Sequence, residues 1–251
     1  MSDIDLTQLL RSWPHQPGRI NARRIVGQDG RPKLQIRIDL GVLQMEFEGR
    51  PDGQRFEGFD SLLSFQQDRL ERYTRQNDSP AGFILSQDEC RALREEAVQF
   101  YHRYVGLFAL GEYAAVVRDT TRNLELFDLC RDFGETEVDR TVLDQFRPPV
   151  LMMRARSEAE LAIAADQPKQ ALAALDRGLA ELRAAFADIG SAGEFDTANE
   201  VQLLRGMRDT LVPKLPASQK VELQERLRAA LDAENYELAA ILRNELRMMD
   251  D

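Results

Sequence analysis

Apolar and polar residues alternate in two short runs between Lys33 and Glu48, the one stretch of the 251 residues with a period of two. In Lys33–Asp39, Leu34, Ile36 and Ile38 alternate with Gln35, Arg37 and Asp39. In Val42–Glu48, Leu43, Met45 and Phe47 alternate with Gln44, Glu46 and Glu48. A period of two marks strands with one face buried and one wet. Asp29-Gly30 offers a hairpin turn joining Ile20–Val26 to the second strand, and Leu40-Gly41 makes the next corner. The spacing predicts a three-stranded antiparallel meander. Such a sheet is marginal by itself and needs a helix across its apolar face.

Every other patterned stretch has helical period, so the fold class expected is α+β and predominantly α. Ile4 to Trp13 reads as a short amphipathic helix stopped by Pro14 and Pro17. After the turn-rich Gly49-Arg50-Pro51-Asp52-Gly53, Leu62, Leu63, Gln66, Leu70 and Tyr73 share one helical face, the expected cover for the sheet. Ser86 and Glu89 form a capping box opening a helix that runs to about Leu110. Gly111 breaks it, and Glu112 to Asp132 continues as its partner. Pro148 and Pro149 suit the first turn of a helix reaching Ala165, and Pro168 starts the next. Glu194 to Leu211 is helical again, and Pro213 and Pro216 mark a linker. Ala159, Ala171 and Gly178 stand where two helices must approach closely. This helical-hairpin body resembles tetratricopeptide packing, although small residues occupy the crossings of any antiparallel helix pair. Three segments are expected: residues 1–82 for the first helix, meander and covering helix, 83–212 for the helical body, and 217–251 for a terminal hairpin.

The formal net charge of −10 opposes general affinity for nucleic acid, which needs a cationic face. One local excess runs the other way: Arg19, Arg23, Arg24, Arg31, Lys33, Arg37 and Arg50 outnumber the acids between positions 19 and 50. Cys90 and Cys130 lack the two-residue spacing of a zinc ribbon or redox pair and read as buried free thiols. No apolar run approaches a membrane span, and the acidic start Met1-Ser2-Asp3 is unlike a secretory signal, so a cytoplasmic location is expected. His15 and His102 stand in no catalytic or metal-ligand spacing. No cofactor, metal or catalytic residue is expected.

The last segment carries the most information. Leu223, Leu227, Ala230 and Leu231 stripe one short helix, and Ala239, Leu242, Leu246 and Met249 stripe another. Ala239 and Ala240 have almost no side chain, which lets two backbones come close. A pair of helices this short buries too little surface to stand alone and seeks a second surface.

The run Glu234, Asn235, Tyr236, Glu237, Ala239, Ala240, Leu242, Arg243, Asn244 resembles the UVR motif of UvrB and UvrC, with Asn235 and Asn244 in place of the usual acids. The front of the chain, at Leu40-Gly41-Val42-Leu43-Gln44-Met45-Glu46 and Gly49–Gly53, is similar to uncharacterised bacterial UVR-containing proteins such as those of planctomycetes. The resemblance implies a module that mediates protein contacts, as between excision-repair subunits or in adaptors and regulators of the Clp protease system. The expected partner is then a protein, with a UVR-containing or Clp-type protein or a second copy of this chain as candidates. The contact residues would be Glu234, Tyr236, Glu237, Ala240, Arg243 and Glu245. The phosphate loop of a helicase subunit is missing, since none of Lys33, Lys169, Lys214 and Lys220 follows a glycine. The function expected is non-catalytic protein–protein interaction, as an adaptor or regulatory scaffold. The alternative is an accessory factor of DNA repair or nucleic-acid metabolism, touching nucleic acid through Arg23, Arg24 and Arg37.

Overall fold

The computed structural model describes residues 5–212, 218–233 and 235–249. Ile4, Pro213 and Pro216 lie outside them. The fold is α+β and predominantly α, with a small N-terminal antiparallel sheet, helical pairs and a C-terminal helical hairpin. It divides into two compact units, Met1–Val150 and Leu151–Asp251. The division falls within a helix, inside the stretch that sequence patterning treats as one body.

In the first unit, a short helix α1 (Thr7–Ser12) precedes strands β1 (Asn21–Val26), β2 (Pro32–Ile38) and β3 (Gly41–Glu46). Pairing is antiparallel in the order β1-β2-β3, with Arg23 opposite Gln35 and Gln35 opposite Gln44. Helices α2 (Leu62–Asn77), α3 (Gln87–Ala109), α4 (Tyr113–Phe133) and α5 (Glu137–Thr141) follow. The capping box forms as expected: Glu89 N–H donates to Ser86 Oγ at 3.3 Å, and Ser86 N–H donates to Glu89 Oε2 at 2.9 Å.

The helix that covers the sheet is α3, not the Leu62 helix expected to do so. At Gly106 of α3 an added Cβ would stand 2.7 Å from Ile36 Cδ1 and 2.9 Å from Leu34 Cδ2, so the sheet's apolar side chains lie directly on the helix backbone here. Leu34, Ile36, Met45 and Phe47 are buried there as the alternation predicts. Helix α2 packs instead on α3.

The opposite face of the sheet is covered along β2, which corrects the second half of that expectation there, while Gln44 of β3 stays exposed. Lys33, Gln35 and Arg37 are all buried. Arg23 Nε donates to Gln35 Oε1 at 2.8 Å, and Gln35 Nε2 donates to Gln44 Oε1 at 2.8 Å, a polar ladder across all three strands. The segment after α1 closes over it: Trp13 lies under the Arg23 guanidinium at 4.0 Å, and Arg37 Nε donates to the Trp13 carbonyl at 2.8 Å. Long side chains cover this face with their stems and satisfy their heads on one another.

Two buried arginine networks fasten the unit. Arg103, 1% exposed, makes a fork with Asp119 at 2.7 and 2.8 Å, joining α3 to α4. Its Nη1 donates to the carbonyls of Glu46 at 3.2 Å and Gly49 at 2.6 Å. Glu96, fully buried, accepts from Leu62 N–H at 2.8 Å and Leu63 N–H at 3.2 Å, capping α2 from another helix, and pairs with Arg50 and Arg122. The thiols of Cys90 and Cys130 are free and buried, and Cys90 Sγ donates to the Leu85 carbonyl at 3.8 Å. The neighbouring Cys90 thiol and burial push the Cys130 thiol up, so it keeps its proton.

In the second unit, α6 (Arg147–Ala164) has Pro148 and Pro149 in its first turn, as expected, and delivers its later residues to α7 (Pro168–Asp188) and α8 (Asn199–Leu211). The α6–α7 crossing is built from small residues. A Cβ on Gly178 would fall 2.3 Å from that of Ala155, and Ala159 and Ala171 are fully buried.

Candidate functional site

The terminal hairpin consists of α9 (Ser218–Asp232) and α10 (Tyr236–Met248). Leu223, Ala230, Ala239 and Leu242 form its core, with Leu227, Leu246 and Met249 at the edge and Leu172 of α7 beneath. Leu231, expected in the core stripe, is instead 50% exposed. Asn235 caps α10: its Oδ1 accepts from Leu238 N–H at 3.2 Å, the bond an aspartate would make. The asparagine found where the resembled motif has an acid therefore keeps the capping role.

Helix α10 presents three faces. Ala239, Leu242 and Leu246 turn inward to α9. Leu238, Ile241 and Met248 line a concavity of about 480 Å³ against α7, α8 and Phe195. Tyr236, Ala240, Arg243 and Arg247 form an exposed stripe at helical spacing. Tyr236, at 68% exposure, has its ring off the protein's own helices.

The remaining expected contact residues divide. Glu237 is exposed and meets Arg183 of α7 at 2.8 Å. Glu245 is 4% exposed and bound to Arg208, whose Nε also meets Asp176 at 2.7 Å. Burial disfavours the Arg208 charge, but Asp176 and Glu245 outweigh it and hold the guanidinium protonated. Glu245 therefore anchors the hairpin within its own unit and is not offered to a partner. Ala240 is exposed, so the helix crossing belongs to Ala239 alone. Glu234 lies outside the described residues.

The three arginines of the basic hairpin are not gathered on one face. Arg23 and Arg37 are spent on the covered ladder described above. Arg37 Nη1 is further tied to the carbonyls of Ile38, of Asp39 at 3.3 Å and of Gly41 at 3.1 Å. Arg24 points to the other side, stacked over Phe47 at 4.6 Å and 3.4 Å from Glu112. A phosphate would have to compete with these partners at each position.

No protein-family model, curated protein or solved structure matches the chain. Among the described residues no three His, Cys, Asp or Glu side chains gather as a metal site would, and no helix is long and apolar enough to cross a membrane.

Sequence patterning found the hairpin and Tyr236 but missed Arg208, the residue that docks Glu245. An arginine on a helix of mixed charge carries no mark of burial.

Proposed function

We propose that this chain is a non-catalytic interaction module, an adaptor or regulatory scaffold that holds a protein through the outer stripe of α10, in the manner of the UVR motif its last residues resemble. The observation that carries this reading is the exposure of Tyr236, a ring the fold does not use. Exposed tyrosines flanked by arginines are a favoured composition for the energetic centre of an interface. Arg243 and Arg247 on the same stripe would set orientation toward an acidic rim.

The test is affinity capture from the native lysate with the full chain, its Tyr236→Ala variant and a chain ending at Val212. Proteins held by the full chain should be lost with the shortened one and weakened about 5- to 150-fold by Tyr236→Ala, equivalent to about 1–3 kcal/mol. The variant's melting temperature should move little, since the residue is 68% exposed. Unchanged capture beside a lowered melting temperature would refute the role given to this stripe.

A further inference from the structure

The first unit contains a concavity that the proposed interaction stripe does not use. It lies between α3, α4 and the segment that opens α6, and measures about 530 Å³. Its walls are nearly all apolar, with Ala97, Phe127, Leu143 and Val150 buried and Val98 and Phe146 about half exposed at the mouth. Volumes between about 300 and 1,000 Å³ with apolar walls and few polar groups are typical of small-molecule sites.

The polar side chains around it are mostly committed. Arg94 is held by Asp139 at 2.9 Å. Asn123 donates to the Ala97 carbonyl at 3.0 Å and accepts from Arg122 at 3.1 Å. His102 lies at the rim beside the Tyr101 ring, centroids 5.4 Å apart. Tyr104 is different. It is 97% buried by its 3% exposure, and it lines the cavity. Its hydroxyl has no hydrogen-bond partner among the described residues. The oxygen is not among the sealed, unpaired side-chain atoms of the protein, so it stays reachable from the cavity that the ring lines. Tyr101 meets its ring edge-on at 5.5 Å and 90° and fixes its orientation. Burial raises the phenol's proton affinity, which keeps it neutral and able either to donate or to accept.

We propose that this cavity binds a small uncharged molecule with an aromatic body and one hydroxyl or carbonyl oxygen, which takes its hydrogen bond from Tyr104. The aromatic walls favour a ring. A charged head would lose its water with no free counter-charge to meet it, because the Arg94 guanidinium is already paired.

Two probes of equal shape test this on the full chain: 2-naphthol, and 2-methylnaphthalene, which replaces the hydroxyl with a methyl. Isothermal titration should give saturable one-to-one binding of 2-naphthol. Tyr104→Phe, which removes only the hydroxyl, should weaken 2-naphthol about tenfold, the worth of one hydrogen bond. It should leave 2-methylnaphthalene unchanged. Val98→Trp, placed at the exposed mouth where folding is insensitive to it, should weaken both probes. The proposal is overturned if neither probe saturates, if Tyr104→Phe weakens the two equally, or if Val98→Trp leaves both unaffected.

Discussion

The fork between Arg103 and Asp119 should be the most costly single interaction to break in the first unit. Replacing Asp119 with leucine leaves the Arg103 cation at 1% exposure, with two backbone carbonyls and the Phe100 ring at 4.6 Å as its remaining partners. Removing one member of such a pair costs about 3–5 kcal/mol, because the other charge stays buried. Replacing Arg103 with methionine acts differently. Asp119 keeps Arg118 at 2.9 Å, while the carbonyls of Glu46 and Gly49 lose their donor. Losing these two part-buried bonds costs roughly 0.5–1.5 kcal/mol each, because exposed Gly49 can turn its carbonyl to water. The double variant orphans no charge, so its cost should fall well below the sum of the two singles. Trp13 is the only tryptophan and sits in the covered ladder, with Nε1 donating to Asn21 Oδ1 at 2.8 Å, so its fluorescence reports this unit alone. With a urea slope of about 2 kcal/mol per molar, Asp119→Leu should lower the midpoint by about 1.5–2.5 M. A shift below about 0.5 M, or strictly additive singles, would show that the fork behaves like a surface pair and refute the reasoning.

Acid should weaken the same unit. Burial opposes the charges of Glu89 and Asp139, but Ser86 and Arg69 hold the first below its usual 4.5, and Arg94 and Thr136 hold the second below its usual 3.8. The unfolded chain therefore takes up protons first as pH falls, and the stability these groups contribute, present above those values, is lost as pH drops through their folded ones. Urea midpoints should decline from pH 5 to 3, less steeply in a Glu89→Gln, Asp139→Asn double variant; equal slopes would contradict this. In the terminal hairpin, Ala239→Leu should cost about 1–3 kcal/mol by overpacking the crossing, whereas Ala240→Leu should stay within about 0.5 kcal/mol. Hydrogen exchange of the α10 amides distinguishes them, and equal effects would show the two faces are misassigned. Finally, with Arg23, Arg24 and Arg37 engaged and a net charge of −10, the protein should not bind duplex or single-stranded nucleic acid appreciably at physiological salt. A micromolar, salt-sensitive affinity would restore the repair-factor alternative.

The strands, their corners, the capping box, the helix-opening prolines and the terminal hairpin were all legible, because each depends on residues close in sequence. What each face packs against was not. The stripe Leu62, Leu63, Gln66 shows that α2 buries one side but cannot say whether a sheet or a helix lies beneath it. A better signal for the true cover was Gly106, a glycine inside a helical pattern that pays its propensity cost only where something comes very close. Gln35 and Arg37 alternate like solvent-facing residues, and nothing local predicts that the chain before β1 folds back over them. In α10, two adjacent alanines differ by 100° around the helix, so composition alone could not assign the crossing to Ala239. The cavity at Tyr104 had no signal at all, since its walls are drawn from separate helices.

Gly106 and Arg103 are one turn apart on the same side of α3, and together they set a clearance. The bare backbone at position 106 lets Leu34 and Ile36 settle onto the helix, and one turn earlier the carbonyls of Glu46 and Gly49 lie within reach of the arginine. A single carbon at Gly106 would act as a shim against the ends of the Ile36 and Leu34 side chains, which would have to turn aside within the core that also holds Arg103. The loop beyond the strands carries Arg50, which lies 3.5 Å from Glu96 at the start of α2. Sheet, loop and helix terminus thus meet on one side of α3, where the bare backbone of Gly106 leaves room for the apolar face and Arg103 and Glu96 take up the polar ends.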